Sequence, residues 1–252
     1  MRFSGKTDIG RERNTNEDAY LILEHPPFYI FGVADGMGGH AAGEVASSLV
    51  FSVIREFLAA NGEGLETMDA TEENYFTFLT NMISEANYGI WQASRGNRNY
   101  HGMGTTITLA LLHRDRYYVA HVGDSRAYSI NGEGIRQITR DHSLVEEMVE
   151  LGQLDKDFAQ VHPQRHVLTR ALGTNPHVDV DFYQGDFLPG DTLLLCTDGL
   201  TSQVREDEIL EAFQNPEGGK DAADALVGLA NQRGGPDNIT VVVVHNTSEV
   251  SR

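Results

Sequence analysis

Apolar residues recur along this chain with two different spacings, and each spacing predicts a different secondary structure. A three- or four-residue spacing is typical of one face of a helix. Val45, Leu49 and Val53 follow it in the first such segment. The same spacing predicts helices in four segments: 41–60, 72–94, Arg205–Phe213 and Asp221–Gln232.

Shorter apolar runs predict β-strands around these helices. The runs are AYLIL, FYIFGVA, TTITLALL, YYVAHV, RAYSI, VDVDFY, TLLLC and ITVVVV. Asn131-Gly132 separates RAYSI from GIRQIT, and this dipeptide favours a hairpin. Paired helices with hairpin-linked strands indicate an α+β fold with mostly antiparallel sheets rather than alternating βαβ units. Gly62–Ala70 is expected to be a surface loop.

Composition and charge narrow the class of protein. The chain has 252 residues, of which 40% are hydrophobic, so it can form a sizeable core. The net charge of −18 disfavours binding to nucleic acids or anionic membranes. No apolar run approaches the ~18 residues that a membrane span needs. The first ten residues lack a secretory apolar segment, and the single cysteine, Cys196, favours a reducing, cytoplasmic setting.

Four aspartates lie beside the ends of predicted strands. Asp35 follows FYIFGVA, Asp124 follows YYVAHVG, and Asp198 follows TLLLCT. Asp237 comes just before ITVVVV. If these ends share one rim, the carboxylates repel one another unless cations bind between them. Oxygen ligands select Mg²⁺ or Mn²⁺ over zinc or copper, so the pattern predicts a hard-metal site.

Several motifs that are known for phosphate binding or nucleophilic catalysis are incomplete or absent in this sequence. The segment Gly38–Gly43 has the glycine spacing of a phosphate-binding loop, but Glu44 occupies the place of the required lysine. A cysteine-dependent phosphatase would carry arginine six residues after its nucleophile, where Ser202 follows Cys196. No G-x-S-x-G elbow occurs either, so these nucleophile motifs are absent.

Eight stretches in fixed order resemble the metal-dependent serine/threonine protein phosphatases of the protein phosphatase 2C family, in its bacterial branch. They are RNTNEDAY, VADGMGGHAAGE, MGTT, AHVGDSRAY, ITRDHS, LTRALG, GDTLLLCTDGL and GGPDNITVV. The resemblance covers nearly the whole chain, from Gly5 to about Val244. The resemblance implies a four-layer αββα sandwich, with two mostly antiparallel sheets flanked by helices and a dinuclear metal centre at one end.

The resemblance also implies a set of metal ligands. Asp35 would bridge both ions, and the carbonyl of Gly36 together with Asp18 would bind one of them. Asp198 and Asp237 would hold the other ion. The implied cofactors are two central Mn²⁺ or Mg²⁺ ions, with a further position for a third.

Two further positions match the family, and one departs from its eukaryotic members. Asp124 matches a position that helps to bind the third, weaker ion in bacterial relatives. Arg13 matches the arginine that grips phosphate, and Arg11 is a neighbouring candidate. Eukaryotic relatives carry a histidine directly after Asp-Gly as the proposed proton donor, but Met37 stands there in this chain. His40 is therefore a candidate for the donor, for a helix cap, or for orienting a water molecule.

The expected organisation is one catalytic domain, 1–245, and a short tail, 246–252. A small flap is expected at about 143–176. Within it, His162 and Arg165 are expected to touch the residues that flank the phosphorylated side chain.

The expected function is hydrolysis of phosphoserine and phosphothreonine on proteins by a metal-activated water, in opposition to bacterial Ser/Thr kinases. The expected partners are phosphorylated proteins and a cognate kinase, and the chain is expected to be a cytoplasmic monomer. Two alternatives stay open. One is a catalytically weak, metal-binding regulatory module; the other is a phosphatase dedicated to one partner, such as a phosphorylated anti-anti-sigma factor.

Overall fold

Two antiparallel sheets form the centre of the molecule. The computed structural model describes residues 1–38, 42–67, 71–159, 161–214 and 222–247. Its strands are β1 (Arg2–Asp8), β2 (Asp18–His25), β3 (Phe28–Met37), β4 (Gly104–Thr105), β5 (Ile107–His113), β6 (Arg116–Val122), β7 (Arg126–Asn131), β8 (Gly134–Gln137), β9 (Asp181–Asp186), β10 (Thr192–Cys196) and β11 (Ile239–His245). The five-stranded sheet has the order β1-β11-β10-β7-β8. The six-stranded sheet has the order β2-β3-β5-β6-β9, with β4 paired to β3.

Helices cover the outer faces of both sheets. The helices of the described residues, including α3 and α4 in the segment between β8 and β9, are α1 (Ala42–Thr67), α2 (Glu72–Gly96), α3 (Leu144–Glu150), α4 (Lys156–Ala159), α5 (Asp198–Thr201), α6 (Glu206–Gln214) and α7 (Ala222–Gln232). A 3₁₀ turn spans Arg98–Tyr100. In the described residues, no helix is both long and apolar enough to cross a membrane.

Three apolar cores separate the layers. Phe31 of the six-stranded sheet packs with Leu195 and Val242 of the five-stranded sheet. Helices α1 and α2 bury side chains such as Ile83 against the six-stranded sheet, and α7 buries side chains such as Leu226 against the other. The order helix, sheet, sheet, helix confirms the predicted α+β sandwich.

Most predicted elements are present, although the run VDVDFY is a strand only from Asp181, where β9 begins, and two larger differences occur. The predicted loop Gly62–Ala70 is wrong for its first part, because α1 continues to Thr67; positions 68–70 lie outside the described residues. The helix continues there because it buries Leu65, which is 1% exposed. Strand β1 is the second difference, since its sequence RFSGKTD has no apolar run. It forms because it pairs along its whole length with β11.

The segment 143–176 crosses from β8 to β9 and carries α3 and α4. Ser143 and Leu168 form an isolated bridge within it. At its far end, Leu172 exchanges two backbone hydrogen bonds with Thr105, of 2.9 and 3.2 Å. Asn87 of α2 accepts a hydrogen bond of 2.8 Å from the backbone of Gly173. The end nearest β9 is therefore fixed to the sandwich.

Candidate metal centre and phosphate site

Asp18 and Asp35 are directly opposite each other on adjacent strands. Asp18 begins β2, Asp35 lies near the end of β3, and the antiparallel register pairs the two residues. Their side chains therefore point to the same face of the sheet. Thr106 fixes the backbone of Asp35, because its hydroxyl accepts the Asp35 N–H at 2.9 Å and its own N–H donates to the Asp35 carbonyl at 2.9 Å.

Three further aspartates approach the same region from strand ends. Asp124 comes two residues after β6, and Asp198 is the first residue of α5, two residues after β10. Asp237 comes two residues before β11. Since β10 and β11 are neighbours in the five-stranded sheet, Asp198 and Asp237 approach from that layer. Both layers therefore contribute aspartates to this region.

Most of these carboxylates line one cavity of about 700 Å³. Its wall is made of Arg13, Glu17, Asp35, Gly36, Met37, Gly38, Thr106, Asp124, His166, Leu168, Thr169, Arg170, Ala171, Thr174, Asp198 and Asp237. Asp18 does not line the open space, and its side chain is buried. Its Oδ2 accepts a hydrogen bond of 2.8 Å from the hydroxyl of Thr197.

Burial and mutual repulsion favour the protonated form of three of these acids. Burial raises the pKa of Asp18 to about 7, and the charges of Asp198 and Asp237 add to that rise. The pKa of Asp35 is raised well above its usual range, first by burial and then by Asp18. Burial followed by repulsion from Asp198 raises the pKa of Asp124 in the same direction. A site that crowds acids in this way is suited to a cation.

The donor set fits a hard divalent ion. Among the described residues, Asp18 Oδ1 and Asp198 Oδ1 are buried without a hydrogen-bond partner, so both atoms are available as ligands. Gly36 packs so closely against the backbone of Gly43 that a Cβ atom could not be accommodated. In the described part of the chain, no three acidic, histidine or cysteine side chains already converge as a finished metal site. Metal binding would therefore need some of these side chains to rotate. Asp237 is one of them, because it is hydrogen-bonded to Arg13.

Arg13 is paired with one of the candidate ligands. Its guanidinium donates a hydrogen bond of 2.7 Å to Asp237 Oδ2, and its side chain is half exposed at the cavity wall. Arg11 takes a different course, because its Nε donates to the carbonyl of Asn231 at 2.7 Å. Of these two arginines only Arg13 lines the cavity, so the geometry favours it over Arg11 as the phosphate ligand.

The remaining expected site residues are His40, His162 and Arg165. His40 lies outside the described residues. His162 and Arg165 do not line the cavity; Arg165 is exposed, and His162 Nδ1 accepts a hydrogen bond from the backbone of Gln164 at 3.2 Å.

The same segment contributes His166 to the wall instead, with its Nδ1 at 3.7 Å from Asp198 Oδ2. Sequence reasoning missed His166 because the stretch HPQRH contains two histidines and no periodicity to choose between them.

Thr106 was also missed as a functional position. The stretch MGTT marks its place in the sequence, but only the fold shows that it holds the Asp35 backbone. Its hydroxyl lies 2.8 Å from that of Ser125, the residue after Asp124. Thr106 thus connects the backbone of Asp35 with Ser125, the neighbour of Asp124.

Cys196 does not belong to the site chemistry. It is fully buried in β10, and burial raises its pKa to about 12. A thiolate is the reactive form, so this cysteine is unsuited to be a nucleophile near neutral pH.

Comparisons of the sequence and of the structure with known proteins point to one family. The family model for protein phosphatase 2C matches residues 7–238. The chain is 40% identical over 247 residues to the serine/threonine phosphatase stp of Listeria monocytogenes, covering 97% of this chain and 95% of the relative. A crystal structure of a bacterial serine phosphatase is 34% identical, covers 99% of both chains and superposes with a TM-score of 0.89. The catalytic domain of the serine/threonine protein phosphatase PstP, in complex with two manganese ions, is 33% identical, with 96% of each chain covered and a TM-score of 0.81. The chain therefore belongs to the protein phosphatase 2C family.

Proposed function

We propose that this protein hydrolyses phosphoserine and phosphothreonine on other proteins with the help of divalent cations. The observation that carries the proposal is the presence of four aspartates and Arg13 on the wall of one cavity, with a fifth aspartate, Asp18, buried opposite Asp35. Family membership supports the activity, since the relatives compared above are serine/threonine phosphatases.

The residues proposed to hold two central ions are Asp18, Asp35, Asp198, Asp237 and the carbonyl of Gly36. When bound, Mn²⁺ or Mg²⁺ supplies positive charge at the phosphoryl oxygens and makes a water molecule acidic enough to serve as a nucleophile near neutral pH. The PstP structure with two manganese ions supports manganese for this site.

The chain's own residues would bind and orient the phosphoryl group. Arg13 has planar donors that match phosphate oxygens, and it would turn from Asp237 to the substrate. That exchange would release Asp237 as a ligand. Thr106 would keep Asp35 in place through two hydrogen bonds to the Asp35 backbone, one from its hydroxyl oxygen as acceptor and one from its own N–H as donor. Attack by water needs no covalent intermediate, and the buried thiol of Cys196 is unsuited to form one.

Several finer features belong to the same proposal. Asp124, with its raised pKa beside Asp198, is the proposed ligand of a third ion. The flap at 143–176 is proposed to contact substrate residues beside the phosphorylated one, with His162 and Arg165 among the contacts. The proposal also includes opposition to a cognate Ser/Thr kinase and use of Mg²⁺ in place of Mn²⁺. It further includes a monomeric state and a cytoplasmic location.

The decisive experiment measures hydrolysis of p-nitrophenyl phosphate and of a panel of phosphopeptides. Activity should be absent in EDTA, return with Mn²⁺ or Mg²⁺, and withstand thiol alkylation. Full activity in excess chelator would contradict the metal-dependent mechanism. Metal binding without turnover would indicate a regulatory module, and turnover confined to one phosphoprotein would indicate a dedicated phosphatase.

A further inference from the structure

Asn238 is a buried amide at the base of the loop that carries Arg13. Its side chain is 4% exposed. Its Oδ1 accepts a hydrogen bond of 2.8 Å from the backbone N–H of Glu17. Its Nδ2 donates to the carbonyl oxygens of Ile9 and Thr15, both at 2.9 Å. One side chain therefore holds this loop at both of its ends.

The loop between these contacts is exposed to solvent. Residues 11–15 are all exposed, and no helix or strand includes them. The backbone N–H of Asn238 also donates to Asp237 Oδ1 at 2.8 Å, while Arg13 donates to Asp237 Oδ2 at 2.7 Å. Asn238 thus holds the loop that carries Arg13 next to Asp237, the carboxylate that Arg13 contacts.

Only an amide fits this arrangement. The three side-chain contacts require one acceptor and two donors at the same time, which Asn provides. A carboxylate of the same size would accept from Glu17 but would face the carbonyls of Ile9 and Thr15 without a proton to donate. Alanine would remove the hydrogen-bonding side chain that these three backbone groups share, at a cost to the local structure.

We infer that Asn238 is a positioning residue for the substrate phosphate: it acts by holding Arg13, not by touching the substrate. The inference rests on the proposed function. An ordered arginine binds phosphate with less loss of conformational entropy than one on a free loop. Asn238 should therefore affect the KM for phosphoesters more than kcat, and only while Arg13 is present.

The test is a double-mutant cycle on p-nitrophenyl phosphate at saturating Mn²⁺. The four proteins are wild type, Arg13→Ala, Asn238→Ala and the double variant. Arg13→Ala should raise KM by about tenfold or more, the equivalent of a lost charged hydrogen bond. Asn238→Ala should raise KM by about fivefold, yet by less than about twofold when Arg13 is already replaced. An equal rise of KM in both backgrounds would overturn the inference.

Asn246 provides a matched control, because the two asparagines flank the same strand. Asn246 follows the end of β11, is 3% exposed, and donates a hydrogen bond of 2.7 Å to the carbonyl of Phe187. Asn246→Ala should lower the melting temperature while KM stays within about twofold of wild type. If it raises KM as much as Asn238→Ala does, the effect is general destabilisation and the inference fails.

Two further measurements separate the remaining explanations. The Mn²⁺ concentration for half-maximal activity should not change in Asn238→Ala; a shift there with an unchanged KM would place the role at Asp237 and overturn the inference. Asn238→Asp repeats the cycle if the alanine variant does not fold. Protection from thermal unfolding by inorganic phosphate makes the same comparison without turnover. An inactive wild type would therefore contradict the proposed function alone.

Discussion

Asp35 and Asp124 both line the cavity, but their supports differ. Asp35 lies inside a strand, faces Asp18 across the register and is proposed to bind both central ions. Asp35→Asn should therefore lower turnover by roughly a thousandfold. Without metal, the variant should be as stable as wild type or slightly more so, because an amide can be buried beside Asp18 with neither a charge nor the uptake of a proton that burial of the Asp35 carboxyl favours.

Asp124 serves as the contrast in the same experiment. It lies in a loop after β6 and is proposed to bind only the third ion. Asp124→Asn should reduce turnover but retain most of the rise in melting temperature that Mn²⁺ causes in wild type. The measurement is a melting series against Mn²⁺ for the three proteins. Loss of that rise in Asp124→Asn, with retention in Asp35→Asn, would invert the proposed assignment of ligands.

The raised pKa of Asp18 predicts how the stability of the metal-free protein depends on pH. Its pKa rises from 3.8 to about 7 on folding, mainly through burial. Between these values the folded protein keeps a proton that the unfolded chain has released, so the Asp18 contribution to stability falls as pH rises. Buried histidines such as His121, whose pKa is lowered to about 3, act in the opposite direction below pH 6.5.

Comparison of wild type with Asp18→Asn separates the contribution of Asp18 to stability from that of the buried histidines. In EDTA, the free energy of unfolding of wild type minus that of the variant should fall between about pH 5 and pH 7. Urea denaturation at several pH values measures this difference. A difference that stays constant, or rises with pH, would show that Asp18 does not carry the raised pKa.

Residue chemistry explains which site residues could be predicted from the sequence. Asp35, Asp124, Asp198 and Asp237 could be predicted because each stands beside an apolar strand. Asn238 could not, since its contacts reach residues more than 220 positions away in the sequence. Long-range partners of this kind have no local pattern.

At the scale of elements, the segment 143–176 makes two kinds of contact possible. His166 lines the cavity, whereas His162 and Arg165 do not. Alanine at His162 or Arg165 should therefore change the rates on phosphopeptides more than the rate on p-nitrophenyl phosphate, because a small substrate has no flanking residues. His166→Ala should alter both rates. Equal effects of all three substitutions on both substrates would place His162 and Arg165 in the catalytic shell.

Elements with their own apolar pattern were predictable, and elements formed by a partner were not. Strands such as β10 and β11 are continuous apolar runs, so their burial is visible in the sequence. Strand β1 is polar enough to read as a loop and exists because it pairs with β11. The last turns of α1 contain two glycines, and tertiary burial of Leu65 outweighs their low helix propensity.

At the scale of the whole molecule, the candidate site joins the two sheets. Asp18 and Asp35 belong to the six-stranded sheet, while Asp198 and Asp237 adjoin strands of the five-stranded sheet. A cation held by both pairs would link the two layers at one end of the sandwich. The family and fold were recognisable from sequence because the matching stretches supply both layers and the connections between them.

Because Cys196 is buried, its reaction with a thiol reagent can report how often this part of the structure opens. The chain has one thiol, and β10, which holds it, is hydrogen-bonded on both sides, to β11 and β7. A thiol reagent can reach this sulfur only after that part of the sheet separates, so the labelling rate measures how often it does. Mn²⁺ should slow labelling in wild type, because binding near Asp198 stabilises the closed form. It should not do so in Asp35→Asn, and an equal slowing in both proteins would mean that the ions act elsewhere.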